Sequence, residues 1–279
     1  MCLYPKLIKN KKYLPNRKNE YCAPVPDDER KEWVAIGCGN CMECIKQKTN
    51  EWRVRLSEEI RGNECKFVTL TFSNENVEEL INVISNIENM TDYQITNEIA
   101  RIATRRFLER WRKKYKRSVK HWLTTELGEE NDRVHLHGLL FTNVDDETIC
   151  NSWKYGNVFI GTYVNEKTIN YIIKYVSKID VNNRGYKPKI LCSKGIGDKY
   201  FDRSDYINNR FKGENTDETY RTRQGTRIAQ PIYYRNKIYS EDEREILWMH
   251  KLDKGITYVI NEKIDISTEK GETEYTNVL

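Results

Sequence analysis

The sequence predicts a mixed α+β protein, and three stretches carry that prediction. Val119–Leu127 and Arg133–Phe141 are runs of branched and bulky apolar residues joined by the polar turn Gly128-Glu129-Glu130-Asn131-Asp132, the pattern of a β-hairpin. Lys66-Phe67-Val68-Thr69-Leu70-Thr71-Phe72 puts Thr69 and Thr71 on one side and Val68, Leu70 and Phe72 on the other, as a strand does. Asn97–Tyr115 and Thr168–Lys178 instead repeat their apolar residues at helical spacing. Three regions are expected: a cysteine-containing N-terminal extension and helix over 1–62, a core over 63–200, and a C-terminal extension over 201–279.

At 279 residues the chain is long enough to bury a proper core. Its mean hydropathy is −0.81, and no apolar run approaches the ~18 residues of a membrane helix, so no membrane partner is expected. The opening Met1-Cys2-Leu3-Tyr4-Pro5-Lys6 lacks the apolar centre of an export signal, so the expected location is the cytoplasm in which the chain is made. There, the eight cysteines are expected as reduced thiols or metal ligands rather than disulfides. A net charge of +5 with 18 tyrosines and 6 tryptophans leans towards nucleic acid.

Residues 1–37, broken by Pro5, Pro15, Pro24 and Pro26, read as loop with room for short strands. Cys38-Gly39-Asn40-Cys41-Met42-Glu43-Cys44 then leads into a helix expected over Glu43–Ile60, with Gly62 as its C-cap. Thiolates at this spacing wrap a soft cation, and a tetrahedral zinc needs a fourth ligand. Cys2 is the first choice and Cys22 the second; plain thiols at a helix start are the alternative.

Residues 76–94 read as helix and loop. In the helix expected over Asn97–Tyr115, Ile99, Ile102, Ala103, Leu108 and Trp111 form the apolar stripe. Arg105, Arg106, Arg110, Arg112, Lys113 and Lys114 crowd the remainder, and like charges at this density repel unless an anion is near. A phosphate backbone is the candidate partner, a solvated face the alternative. Beyond the hairpin, Asp145–Trp153 reads as a short helix and Gly156–Val164 as a strand, with Asn165 as the N-cap of the next helix.

Two of the four histidines sit two residues apart in the second hairpin strand, so His135 and His137 share a face. A pairing symmetric about residues 130 and 131 sets Glu126 across from His135. Two imidazoles and one carboxylate suit a catalytic divalent ion with open positions. In the later helix, Ile169, Ile172, Ile173 and Val176 share one face, and Tyr171, Lys174, Tyr175 and Lys178 fall on the opposite one. A phenol is a poor nucleophile at its usual pKa near 10, but it improves where a metal polarises a phosphate and a cation such as Lys174 or Lys178 handles charge or proton. Attack on a DNA phosphodiester would leave a 5′-phosphotyrosine and a free 3′-hydroxyl, and a second tyrosine one turn away would serve a later, rejoining step.

Phe67-Val68-Thr69-Leu70-Thr71, His135-Leu136-His137 and Tyr171-Ile172-Ile173-Lys174-Tyr175-Val176-Ser177-Lys178 resemble, in order, the three rolling-circle replication motifs of the HUH endonuclease superfamily. The paired tyrosines, the Cys38-Gly39-Asn40-Cys41-Met42-Glu43-Cys44 run and the opening Met1-Cys2-Leu3-Tyr4-Pro5 resemble replication initiators of the Microviridae, of the gokushovirus type. The resemblance implies an antiparallel sheet flanked by helices, a ferredoxin-like or RRM-like core, with the histidine strand central. It implies Mg²⁺ or Mn²⁺ on His135 and His137 with Glu126 as third ligand, and Tyr171 and Tyr175 as alternating nucleophiles. It further implies single-stranded origin DNA as substrate, and a bacterial host whose helicase and DNA polymerase act beside the protein. A relaxase or transposase-type strand transferase shares the chemistry. A zinc-stabilised single-stranded DNA-binding module whose tyrosines only stack on bases is the non-enzymatic alternative.

Lys194-Gly195-Ile196-Gly197-Asp198-Lys199 reads as an ordinary loop, although its glycines would allow a phosphate to approach. Glu241–Lys251 reads as a helix and the residues beyond it as a polar tail.

Overall fold

The structure, a computed structural model, describes residues 2–128, 132–161, 163–177, 183, 185–259, 262–270 and 273. In chain order the first elements are β1 (Lys6–Lys9), β2 (Trp33–Ile36), α1 (Met42–Glu59), β3 (Lys66–Leu70), α2 (Asn74–Ile81) and α3 (Asp92–Tyr115). The centre holds β4 (Lys120–Leu127), β5 (Val134–Phe141), α4 (Asp146–Trp153), β6 (Val158–Gly161), α5 (Glu166–Ser177) and β7 (Ile190–Cys192). Then come β8 (Thr219–Arg221), β9 (Arg227–Ala229), α6 (Ile232–Ile238), α7 (Glu241–Asp253), β10 (Ile256–Val259) and β11 (Glu262–Asp265). The chain divides into two compact units, Thr49–Asn209 with Thr219–Pro231, and Met1–Lys48 with Arg210–Glu218 and Ile232–Leu279.

The unit built on Thr49–Asn209 has the expected α+β form: an antiparallel sheet with helices on both faces. Its strand order is β6-β3-β5-β4-β7, and every neighbouring pair runs antiparallel. The histidine strand β5 is central. Glu126 pairs with His135, as the hairpin symmetry predicts, and Thr124 pairs with His137, which pairs on its other side with Thr69.

Alternation along the strands sorts their side chains between two cores. On one face Val68, Leu70, Leu123, Val134, Leu136 and Leu140 pack against Ile99, Ala100, Ala103, Phe107 and Trp111 of α3. On the other, Trp122 and Leu139 pack against Leu56 of α1 and Ile169, Ile172, Ile173 and Val176 of α5. The isoleucine stripe read from the sequence is thus the buried stripe of α5. His135 and His137, in step with Leu139, stand on the α5 face. Gly138 points the other way, and a methyl group there would sit 2.0 Å from the Trp122 carbonyl oxygen.

Several boundaries differ from expectation. α3 begins five residues before Asn97, because Thr91 and Gln94 form a reciprocal capping box ahead of it. β7 was hidden within a polar, Tyr- and Arg-rich stretch because three residues are too few to show alternation.

The other unit contains the β1–β2 hairpin, α6, α7 and the β10–β11 hairpin. Ser240 and Glu243 cap α7 reciprocally. Lys12 binds Asp242 at 2.8 Å and Glu245 at 3.0 Å, and the Tyr13 hydroxyl donates to Glu245 at 2.8 Å. The residues after α7, expected as a tail, pair Ile256 with Asp265 and Val259 with Glu262, since Ile256-Thr257-Tyr258-Val259 is a run of strand-forming residues. Among the described residues no helix is long and apolar enough to cross a membrane.

Candidate active site

The sheet register and α5 bring the predicted tyrosines to the predicted histidines. Asn165 caps α5, its side chain accepting from the backbone N–H of Lys167 at 2.8 Å and of Thr168 at 3.2 Å. With the isoleucines buried, the helix holds Tyr175 over the sheet, where its ring stacks on His137 at 4.3 Å between centroids and 10° between planes. Tyr171, one turn earlier, is 45 % exposed and meets Phe67 edge-on at 5.9 Å. The Tyr175 hydroxyl donates to the Tyr171 hydroxyl at 2.5 Å. Lys174 lies on the exposed side with its Nζ 5.9 Å from the Tyr171 ring centroid. Lys178 lies outside the described residues.

His137 is buried, and Thr69 Oγ1 holds its Nδ1 at 3.1 Å. Its Nε2 stands 2.8 Å from Glu126 Oε2 yet makes no hydrogen bond, because the carboxylate lies off the ring's N–H direction. Such proximity without a hydrogen bond suits ion binding better than a salt bridge. The Thr124 hydroxyl, paired across the strand, is likewise buried without a hydrogen bond. A buried, unpartnered imidazole nitrogen beside a carboxylate oxygen fits a divalent cation. His135 is half-buried, its ring 6.3 Å from that of His137 and turned 87° to it. Burial first, and then the neighbouring His137, pushes its pKa below the ordinary value, which favours the neutral, ligating imidazole. Glu126, His135 and His137 share a face, but their ligand atoms do not all come within 4.8 Å of one another; among the described residues only Cys2, Cys38, Cys41 and Cys44 form such a set.

The basic helix lies elsewhere. α3 covers the opposite face of the sheet from the histidines. Arg110 is tied to the carbonyls of Ser152 and Trp153 at 2.8 and 2.7 Å, and Lys114 reaches the Thr148 hydroxyl at 3.3 Å. Arg105 pairs with Glu109 and Arg106 with Glu79, while Arg112 and Lys113 are exposed. The glycine turn is also structural, for Gly197 gives its N–H to the buried Glu59 carboxylate at 2.7 Å. Cys22 is exposed and outside the cysteine cluster.

Sequence reasoning missed Thr124, Phe159 and Tyr163. Phe159 pairs with Thr69 on the edge strand β6, is 63 % exposed and meets Phe67 edge-on at 6.2 Å. Tyr163 is 82 % exposed. The visible signal was an aromatic at a strand position that alternation assigns to the same face as Thr69 and His137.

Residues 65–180, less than half of the chain, match the family model of the replication-associated protein ORF2. The chain is also similar to the "Replication-associated protein ORF2" of Spiroplasma virus 4, 29 % identical over 198 residues. That alignment covers 60 % of this chain and 57 % of the relative, so the chain spans little more than half the relative's length. Among solved structures, the "Catalytic domain of the Adeno Associated Virus type 5 Rep protein" aligns over 68 % of this chain and 98 % of its own at 14 % identity, with a TM-score of 0.23.

Proposed function

We propose that this chain is a replication-associated, metal-dependent DNA strand transferase that nicks single-stranded DNA at an origin and rejoins it through a 5′-phosphotyrosine. The observation that carries the reading is the stack of Tyr175 on His137, with Tyr171 hydrogen-bonded to Tyr175. A core histidine needs no such neighbour. The similarity of residues 65–180 to replication-associated proteins supports the same reading, as does that of the Spiroplasma virus 4 relative.

One tyrosine oxygen attacks the scissile phosphorus, the bond from phosphorus to the 3′ oxygen breaks, and the phenol's proton ends on that oxygen. The other phenol, within hydrogen-bond reach, stabilises negative charge on the attacking oxygen, and does so again when the tyrosine becomes the leaving group. Lys174 places a positive charge beside Tyr171 and the incoming phosphate. Thr69 fixes the His137 ring so that Nε2 faces Glu126. His137, Glu126 and His135 would hold Mg²⁺ or Mn²⁺, which when bound supplies Lewis-acid polarisation of a phosphate oxygen. Phe159 and Tyr163 offer exposed rings for bases flanking the scissile phosphate. The Microviridae branch, a host helicase and polymerase as partners, and the cytoplasm of a bacterial host belong to the same proposal.

The test is cleavage of the single-stranded circular DNA of the replicon that encodes the chain, with Mn²⁺ or Mg²⁺ and with EDTA. The expected result is a metal-dependent nick with a free 3′-hydroxyl and a protein-linked 5′ end, lost in His137→Ala. Tight, metal-independent binding without a nick would replace this reading with that of a base-stacking binding module.

A further inference from the structure

We propose that Cys2, Cys38, Cys41 and Cys44 bind one zinc ion in a closed tetrathiolate site. The site follows from backbone pairing. In the β1–β2 hairpin Lys6 pairs with Ile36 and Lys9 with Trp33, and extending that register beyond Lys6 brings Cys2 opposite the Cys38–Cys41 turn. Cys41 is the N-cap of α1, its carbonyl accepting from Ile45 N–H at 3.0 Å, and Cys44 enters through the helix's first turn.

The four sulfur atoms all lie within 4.8 Å of one another, and those of Cys2 and Cys41 are 3.8 Å apart. Tetrahedral zinc with Zn–S bonds of about 2.3 Å requires sulfur–sulfur edges of about 3.8 Å. None of the four is in a disulfide. The surroundings are those of anionic sulfur. Leu3 N–H donates to Cys41 Sγ at 3.5 Å, Tyr4 and Cys38 N–H to Cys2 Sγ at 3.4 and 3.1 Å, and Asn40 and Cys41 N–H to Cys38 Sγ at 3.4 and 3.3 Å. Together with the positive end of α1, these amides offset the two negative charges that four thiolates leave around a divalent ion. Gly39 makes the turn with a φ of 77°, and a Cβ at Gly37 would stand 3.0 Å from Cys44 Sγ.

All four positions are filled by protein, so the role is structural: the ion closes residues 2–44 onto the start of α1. Most of this segment is exposed, with little apolar burial of its own, so metal binding supplies its folding energy.

The test uses the full chain and is independent of any nuclease activity. Metal analysis after gel filtration is expected to give one zinc per chain. Titration of the zinc-stripped chain with Co²⁺ is expected to give the thiolate-to-metal charge-transfer and visible bands of tetrahedral CoS₄. Cys41→Ser and Cys44→Ser should each fall below about a tenth of an ion per chain, while Cys22→Ser, Cys150→Ser and His137→Ala keep theirs. Should the cysteine variants not fold, the Co²⁺ spectrum of the unaltered chain decides. A chain without metal and with no CoS₄ spectrum, iron in place of zinc, or zinc retained in Cys44→Ser would overturn the assignment.

Discussion

Tyr175 is held from two sides, by the His137 ring beneath it and the Tyr171 hydroxyl beside it, so the two nucleophile candidates are not equivalent. Removing both phenolic hydroxyls with Tyr171→Phe and Tyr175→Phe together is expected to lower strand cleavage by at least about 10³-fold while leaving DNA binding in place. A binding assay run beside the cleavage assay checks this. A second residue-scale prediction concerns His121, a buried imidazole whose pKa burial pushes below its ordinary 6.5. The unfolded chain takes up this proton at higher pH than the folded one. His121 therefore contributes stability above its unfolded pKa, and that stability is lost as pH falls from near 6.5 through the lowered folded value. Thermal melts between pH 8 and pH 5 should show a drop that His121→Gln flattens. The histidine pair, its carboxylate partner and both tyrosines were legible because strand alternation and helical spacing fix which side chains share a face. Thr124, by contrast, became visible only with the strand pairing, because a lone threonine inside an apolar strand carries no signal of its own.

At the scale of the elements, α5 carries the nucleophiles and its position depends on its cap and its buried stripe. Asn165→Ala removes two N–H acceptors and should cost about 1 kcal/mol. Ile173→Ala empties a buried site between α5 and the sheet, and should cost about 2–5 kcal/mol. Chemical denaturation measures both. If α5 positions the tyrosines, cleavage by the folded Ile173→Ala protein falls as well. The basic helix α3 divides into two kinds of residue. Arg110 bonds two carbonyls at the end of α4, so Arg110→Ala should lower stability more than affinity. Arg112 and Lys113 are exposed, so substituting both by alanine should reduce the salt dependence of DNA binding if phosphates touch this face. The sequence showed that α3 was basic and amphipathic. Which face of the sheet it covers followed from Val68, Leu70 and Leu136 sharing the side opposite His137, a fact of tertiary packing.

For the molecule as a whole, the central sheet was the readable part, because its long strands alternate and one polar turn fixes the β4–β5 register. The short β1–β2 and β10–β11 hairpins lay in polar, proline-broken or charged sequence, where four-residue strands leave little pattern. The cysteine cluster was half legible: the spacing from Cys38 to Cys44 marked three ligands, and only the hairpin pairing distinguishes Cys2 from Cys22. The central claim is that a tyrosine of α5 becomes covalently joined to DNA. It is tested most directly by digesting the protein after reaction with origin-bearing single-stranded DNA and Mn²⁺, and locating the nucleotide-bearing peptide by mass spectrometry. The account predicts an adduct on Tyr171 or Tyr175 that requires metal, survives at least one of the single phenylalanine changes and vanishes in the double. An adduct that persists in the double variant, or none on any origin-bearing strand despite tight binding, would contradict it.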